Sequence, residues 1–131
     1  MIGSPENPGL IPRLCDTLLT TPFPDTDSVV TTVTYVEIFK EKVMDLLSNC
    51  SDNLRVREHP TTGPYVENAT VASVSSYTDC LEVINAGNTK RHVASTNLNQ
   101  TSSRSHAIFT LIITQSKPLD NEEYYTVISK L

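Results

Sequence analysis

SYTDCLEVINAGNTKRHVASTNLNQTSSRSHAIFTLIITQ, residues 76–115, carries the three signals that decide the fold. Ser76-Tyr77-Thr78-Asp79 is a helix start, an N-cap serine followed three places on by an acidic residue in the position usually held by Glu or Gln. Cys80, Leu81 and Ile84 give that helix a buried stripe. Gly87 could end it, but Lys90 to Ala94 can carry it on, because a glycine inside a helix costs only about 1 kcal/mol. Asn97 to Ser105 is polar and without period, so it reads as a loop. From Ala107 to Gln115, Ala107, Phe109, Leu111 and Ile113 alternate with Ile108, Thr110, Ile112 and Thr114, the period of a strand. Helix, polar loop and strand in succession predict an α/β fold.

Working outward, Lys117 to Glu123 is a turn and Tyr124 to Leu131 alternates again, so these last two strands should pair antiparallel. Upstream, Ser28 to Phe39 (SVVTTVTYVEIF) is dense in β-branched and aromatic residues, which predicts a long strand covered on both faces over part of its length. Lys40 to Leu47 switches to helix formers with Val43, Leu46 and Leu47 on one side, predicting a short helix or turn. Leu54–Arg57 and Tyr65–Val71 are strand candidates around the hairpin-like loop Pro60-Thr61-Thr62-Gly63-Pro64. Near the start, Leu10, Ile11, Leu14, Cys15 and Leu18 fall at helical intervals after Pro8-Gly9, and Thr21 to Asp27 is a loop. The sum is one α/β domain over residues 1–131, with a mixed sheet and flanking helices.

Composition narrows the function. With 131 residues, 10 Lys+Arg and 15 Asp+Glu, the net charge of −5 argues against general binding to nucleic acid or an anionic membrane. No apolar run approaches the ~20 residues of a membrane span, and the first residues lack the pattern of a signal peptide. Cys15, Cys50 and Cys80 are odd in number and far apart, which predicts reduced thiols, two of them packed in helices. His59, His92 and His106 lack zinc-ligand spacing. The triplets at Asn49, Asn68 and Asn99 that fit a glycosylation acceptor read as chance without a signal peptide.

Charge is distributed unevenly. No acidic residue stands between Glu82 and Asp120, whereas Lys90, Arg91, Arg104 and Lys117 are basic. The loop within this span offers hydroxyl and amide donors, a fixed cation and no carboxylate, which is what an anionic, oxygen-rich ligand requires. A serine hydroxyl also suits Mg²⁺ beside phosphate oxygens. Composition alone leaves the plainer reading open, a solvated connector, and Arg104-Ser105 also fits a phosphorylation site.

Asn99-x-x-Ser102-Ser103-Arg104-Ser105-His106 resembles the switch I signature of kinesin motor domains, N-x-x-S-S-R-S-H, at every fixed position. Other stretches follow in family order. Gly9-Leu10-Ile11-Pro12-Arg13 resembles the segment after the phosphate-loop helix. Tyr35 to Leu47 (YVEIFKEKVMDLL) is similar to the family's Y-x-E-I-Y-N-E-x-I-x-D-L-L, with Phe39 and Lys40 replacing Tyr and Asn. Leu54 to Pro60 with Gly63 to Glu67 looks most like the kinesin-3 subfamily, and Asn88-x-x-Arg91-His92-Val93-Ala94-x-Thr96-Asn97 precedes switch I in register.

This resemblance implies a P-loop-NTPase-type kinesin motor fold, ATP and Mg²⁺ as ligands, microtubule-based movement, tubulin as partner, and a cytoplasmic, cytoskeletal setting. By position, Ser102 and Ser103 would contact the γ-phosphate, with the Ser103 hydroxyl toward Mg²⁺. Asn99 would help hold phosphate and attacking water. Arg104 would pair with a switch II glutamate, and Arg91 would link its helix to switch II. Lys42, Arg57 and Glu58 match positions where kinesins touch tubulin. Those three also fit ordinary solvated charges.

G-x-x-x-x-G-K-[ST] does not occur among these residues, and neither does D-x-x-G. In the family both lie just outside the matched region. The expectation is therefore a middle piece of a motor domain, with unpaired sheet edges and no ATP turnover on its own. Two other readings stand beside it: a non-catalytic fragment that binds tubulin or a motor partner, and a partial product with no activity. Cargo, direction and oligomeric state have no signal here.

Overall fold

A computed structural model describes the backbone of residues 2–4, 6–23, 28–50, 52–97, 105–118 and 124–130, and the side chains of those up to His92 and from Ser105 to Ser116. In chain order the elements are α1 (Leu10–Thr20), β1 (Ser28–Phe39), β2 (Lys42–Asp45), β3 (Arg55–His59), β4 (Gly63–Glu67), β5 (Ala72–Ser73), α2 (Tyr77–Asn97), β6 (His106–Pro118) and β7 (Tyr124–Lys130). The main sheet runs β2-β1-β6-β7 with β5 on β1, and β3-β4 forms a separate two-stranded sheet. The α/β expectation is met. The chain divides into two compact units, Met1–Val33 with Ser73–Glu82 and Leu111–Leu131, and Thr34–Ala72 with Val83–Thr110.

In the first unit, α1 tolerates Pro12 because its first turn has no intrahelical partner for that N–H. Cys15 of α1 is buried, and Val74 joins the edge of β1 by donating its N–H to the Thr31 carbonyl at 3.0 Å. β6 and β7 pair antiparallel from Ile112↔Lys130 to Pro118↔Tyr124, as their spacing predicts. The start of α2 carries the anticipated reciprocal cap. Asp79 Oδ2 accepts from the Ser75 and Ser76 N–H groups and the Ser75 hydroxyl, while Ser76 Oγ accepts the Asp79 N–H. These donors, the Ser75 N–H first, hold the Asp79 pKa down to about 2.

In the second unit, β1 is buried at three consecutive positions, Tyr35, Val36 and Glu37, which bears out a strand covered on both faces. The short helix or turn expected over Lys40–Leu47 resolves as a turn followed by β2. Lys40 (φ 48°) and Glu41 (φ 63°) are both left-handed, and Phe39↔Lys42 closes the hairpin around them. Positive φ at both central residues matches the right-handed twist of the strands and needs no helix. Val43 and Asp45 then face inward in alternation. β3 and β4 pair around Pro60-Thr61-Thr62, with Gly63 at φ 74° as a three-residue hairpin loop requires. The strand expected to reach Val71 stops at Glu67 because Asn68 turns left-handed at φ 61°. α2 passes through Gly87 unbroken, as the helix formers beyond it predict.

Two outcomes follow for stability. The Asp79 pKa is lower in the folded chain, so its contribution is present above about pH 4 and is lost as pH falls through about 2. Thermal unfolding of Asp79→Ala should therefore lose part of the wild-type chain's decline in melting temperature between those pH values. At the β1–β2 turn, Glu41→Gly relieves a left-handed backbone and should stabilise by about 0.5–1 kcal/mol in urea unfolding.

Candidate functional site

The second unit gathers the polar groups that flank residues 98–104 in sequence. Gly87 makes the approach possible. A Cβ there would collide with Cδ1 and Cε1 of Tyr35, so β1 and α2 meet at a bare backbone. The Tyr35 hydroxyl donates to Asn88 Oδ1 at 2.8 Å, and its ring stands edge-on to Phe109 with centroids 5.5 Å apart. Burial is the main cause of a raised Tyr35 pKa, so the phenol stays a neutral donor.

Three residues farther along α2, Arg91 Nε donates to Glu37 Oε1 at 2.9 Å. Its Nη2 donates to the Ser105 carbonyl at 3.3 Å and to Ser105 Oγ at 3.1 Å. Ser105 Oγ in turn donates to Glu37 Oε1 at 2.6 Å, closing a triangle. The Glu37 side chain is 4% exposed and that of Arg91 24%. A buried carboxylate needs such partners, since an unpaired one would cost several kcal/mol. Arg91 sits on α2 and Ser105 is the last residue before β6, so one carboxylate ties that helix to the start of that strand.

Beside this triangle lies a second anchor. Asp45, also buried, accepts the N–H groups of Leu47 (2.8 Å) and Ser48 (3.2 Å) on Oδ1 and that of Thr70 (2.7 Å) on Oδ2. Lys90 Nζ donates to the Asp45 carbonyl at 3.0 Å. Adjacent basic residues of α2 thus grip β2 and β1 respectively.

Asn99, Ser102, Ser103 and Arg104 lie outside the described residues. Arg91 is described, and the partners found for it include Glu37 and Ser105, neither of which was assigned to it from sequence. A signal for Glu37 was present: it is the acidic residue within the otherwise uncharged run of β1, and it needs a cation once that strand is buried. Lys42, Arg57 and Glu58 are all exposed. Arg57 Nε pairs with Glu67 Oε2 at 3.2 Å across the β3–β4 hairpin. Lys42 opens β2, and its neighbour Val43 bonds Asn53 and Leu54 at the start of that hairpin, at 2.8 Å each. Among the described residues no group of three His, Cys, Asp or Glu could hold a metal ion, and no helix is long and apolar enough to cross a membrane.

The family model for the kinesin motor domain matches residues 1–131. The chain belongs to the kinesin motor domain family. It is 48% identical over 119 residues to the kinesin-like protein unc-104 of Caenorhabditis elegans, covering 88% of this chain and 8% of that one. To human KIF1B it is 48% identical over 128 residues (93% and 7%), and to mouse KIF16B 46% over 138 residues (100% and 10%). These relatives support the kinesin-3 likeness. The chain spans a tenth or less of the length of the curated relatives it matches. Among solved structures it is similar to a fast kinesin, with TM-score 0.84 and 35% identity over all of this chain and 37% of that one. It also resembles the KIF14 dimer with AMP-PNP in complex with a microtubule, with TM-score 0.79 and 37% identity, covering 100% of this chain and 40% of that one.

The triangle makes a stability prediction. Glu37→Gln removes the buried charge from the Glu37–Arg91 ion pair and should destabilise by about 3 kcal/mol. Adding Arg91→Met should recover much of that loss, and a double-mutant cycle in urea separates the pair from simple packing.

Proposed function

We propose that residues 1–131 supply the switch I portion of a microtubule motor that hydrolyses ATP, and that the complete domain couples this hydrolysis to movement. The observation that carries the reading is the Asn99–His106 signature. Its rooting on the Glu37–Arg91–Ser105 triangle adds support. The donor set of the loop fits Mg-ATP, with hydroxyls, an amide and one arginine in a span free of carboxylates. Mg-ATP supplies the transferable phosphoryl group and a metal that neutralises its charge.

In that role Ser102 and Ser103 donate to the γ-phosphate oxygens, and the Ser103 hydroxyl faces Mg²⁺. Asn99 orients the phosphate and the water that attacks it. Arg104 seeks the acidic partner of switch II, and Arg91 holds its helix in line with that segment. Ser105, fixed by Arg91 and Glu37, gives the preceding residues a rigid root. Such positioning is most of what phosphoryl transfer asks of a protein. On the filament side, Lys42, Arg57 and Glu58 contact tubulin. The setting is cytoplasmic, along microtubules. No phosphate-loop lysine occurs among the 131 residues, so the isolated chain has few phosphate contacts and no turnover.

One set of measurements tests both faces. The isolated chain should release no phosphate from Mg-ATP, yet co-sediment weakly with microtubules at low salt. Lys42→Glu with Arg57→Glu should lower that binding about 10-fold. Replacing the matching segment of the human KIF1B motor with residues 1–131 should give an active ATPase. In that chimera Ser103→Ala should cut turnover by about 100-fold or more. Full turnover in the Ser103→Ala chimera would overturn the nucleotide role, and undiminished binding by the double charge reversal would overturn the filament surface.

A further inference from the structure

α1 ends on a threonine followed by a proline. Thr21 is the C-cap, Pro22 comes directly after it, and both are exposed. Thr21 stands at φ −75° and ψ 123°, the extended conformation that a proline imposes on the residue before it. Its N–H donates to the Thr17 carbonyl at 3.0 Å and its hydroxyl to the same oxygen at 2.5 Å. That hydroxyl serves neither the triangle nor the hairpin. Because it is exposed, it can exchange its bond for one to water at little net cost.

The sequence around it holds no cation. No Lys or Arg occurs between Arg13 and Lys40, whereas Asp16, Asp25 and Asp27 do. The last turn of α1 has no basic residue, and its final carbonyls carry the negative end of the helix dipole. Leu18 and Leu19 of that turn line a groove of about 420 Å³ with Phe23, Val29, Val30 and Val74. Val29 and Val30 are 40% and 52% exposed, so the groove is open to solvent.

We propose that Thr21 is a phosphorylation site for a proline-directed Ser/Thr kinase, and that the phosphate unwinds the last turn of α1 and frees that wall of the groove. Thr21 Oγ attacks the γ-phosphorus of the kinase's Mg-ATP. The Oγ–P bond forms as the bond from that phosphorus to the bridging oxygen breaks, ADP leaves, and the hydroxyl proton passes to the kinase's carboxylate base. The esterified oxygen can no longer donate to Thr17. A charge of about −2 then stands at a helix C-terminus that has no cation in its last turn, and the carbonyl ends repel it.

The chain contains its own comparison. Ser4-Pro5 is the other Ser/Thr-Pro pair, and Ser4 is exposed as well. Its N–H and carbonyl are both bonded to Asn7, at 3.1 Å each, and its Oγ accepts the Asn7 N–H at 3.2 Å. Ser4 is therefore closed into a turn, whereas the Thr21 backbone lies extended and presents its hydroxyl for in-line approach of a phosphate.

The test incubates the whole chain, and separately a synthetic peptide of residues 14–28, with a purified proline-directed kinase of the mitogen-activated class and radiolabelled Mg-ATP. Thr21 in the whole chain should be labelled within about 3-fold of the peptide's rate, and Ser4 about 10-fold or more slowly. Pro22→Ala keeps the hydroxyl and should lower labelling about 10-fold or more. Trypsin should cut the phosphorylated chain after Arg13 about 5-fold faster than the unmodified one, as the helix loosens locally. Phosphatase treatment should restore the slower rate. Labelling that falls on Ser4 and spares Thr21, that occurs in the peptide and not in the whole chain, or that survives Pro22→Ala overturns the site. Cleavage after Arg13 that phosphorylation leaves unchanged overturns the effect on α1.

Discussion

The buried carboxylate of Glu37 is the constraint on which the second unit depends. It is carried into the interior by a strand whose neighbours are Tyr35, Val36, Ile38 and Phe39, and it cannot remain there as a lone charge. Arg91 and Ser105 answer it from a helix and from the start of a strand, each within hydrogen-bonding distance. The three therefore tie α2, β1 and the start of β6 together. Both partners of the carboxylate also bond each other, so the loss of any one member removes two of the three side-chain links.

This arrangement bears on the nucleotide switch proposed above. Arg91 in α2 and Ser105 before β6 are held by charge-assisted bonds, and the residues matching the phosphate contacts lie between them in sequence. The Asp45 anchor extends these bonds to β2, through Lys90 next to Arg91 on α2. The hairpin proposed to face the filament begins beside β2, with Leu54 bonded to Val43.

Much of the fold was legible because its signals are local. The serine cap and Asp79 mark the start of α2, and the alternation from Ala107 to Gln115 gives β6. The stretch Lys40–Leu47 was not legible in the same way. Val43, Leu46 and Leu47 have helical spacing, but pairing with Val36–Phe39 decides the outcome, and a tight turn at two left-handed residues allows it without any glycine. The early end of β4 likewise turns on one left-handed asparagine. At the site, the signature residues could be read only as a motif, since polar loops carry no period. The Glu37–Arg91 pair spans 54 positions of sequence, and no spacing rule connects residues that far apart.

The bare backbone of Gly87 has a consequence for motion. The Tyr35 ring rests where a side chain would otherwise project, so α2 carries a notch that seats an aromatic pawl. Along the same face of the helix the flanking residues are Val83 and Ile84 on one side and Lys90 and Arg91 on the other, all bearing side chains larger than the notch. Small creeping displacements are therefore blocked, and any axial shift of this helix must lift the ring clear before it can settle again. Close-packed interiors favour such stepwise behaviour over gradual bending. A helix indexed in this way moves in a discrete click, not a slow drift.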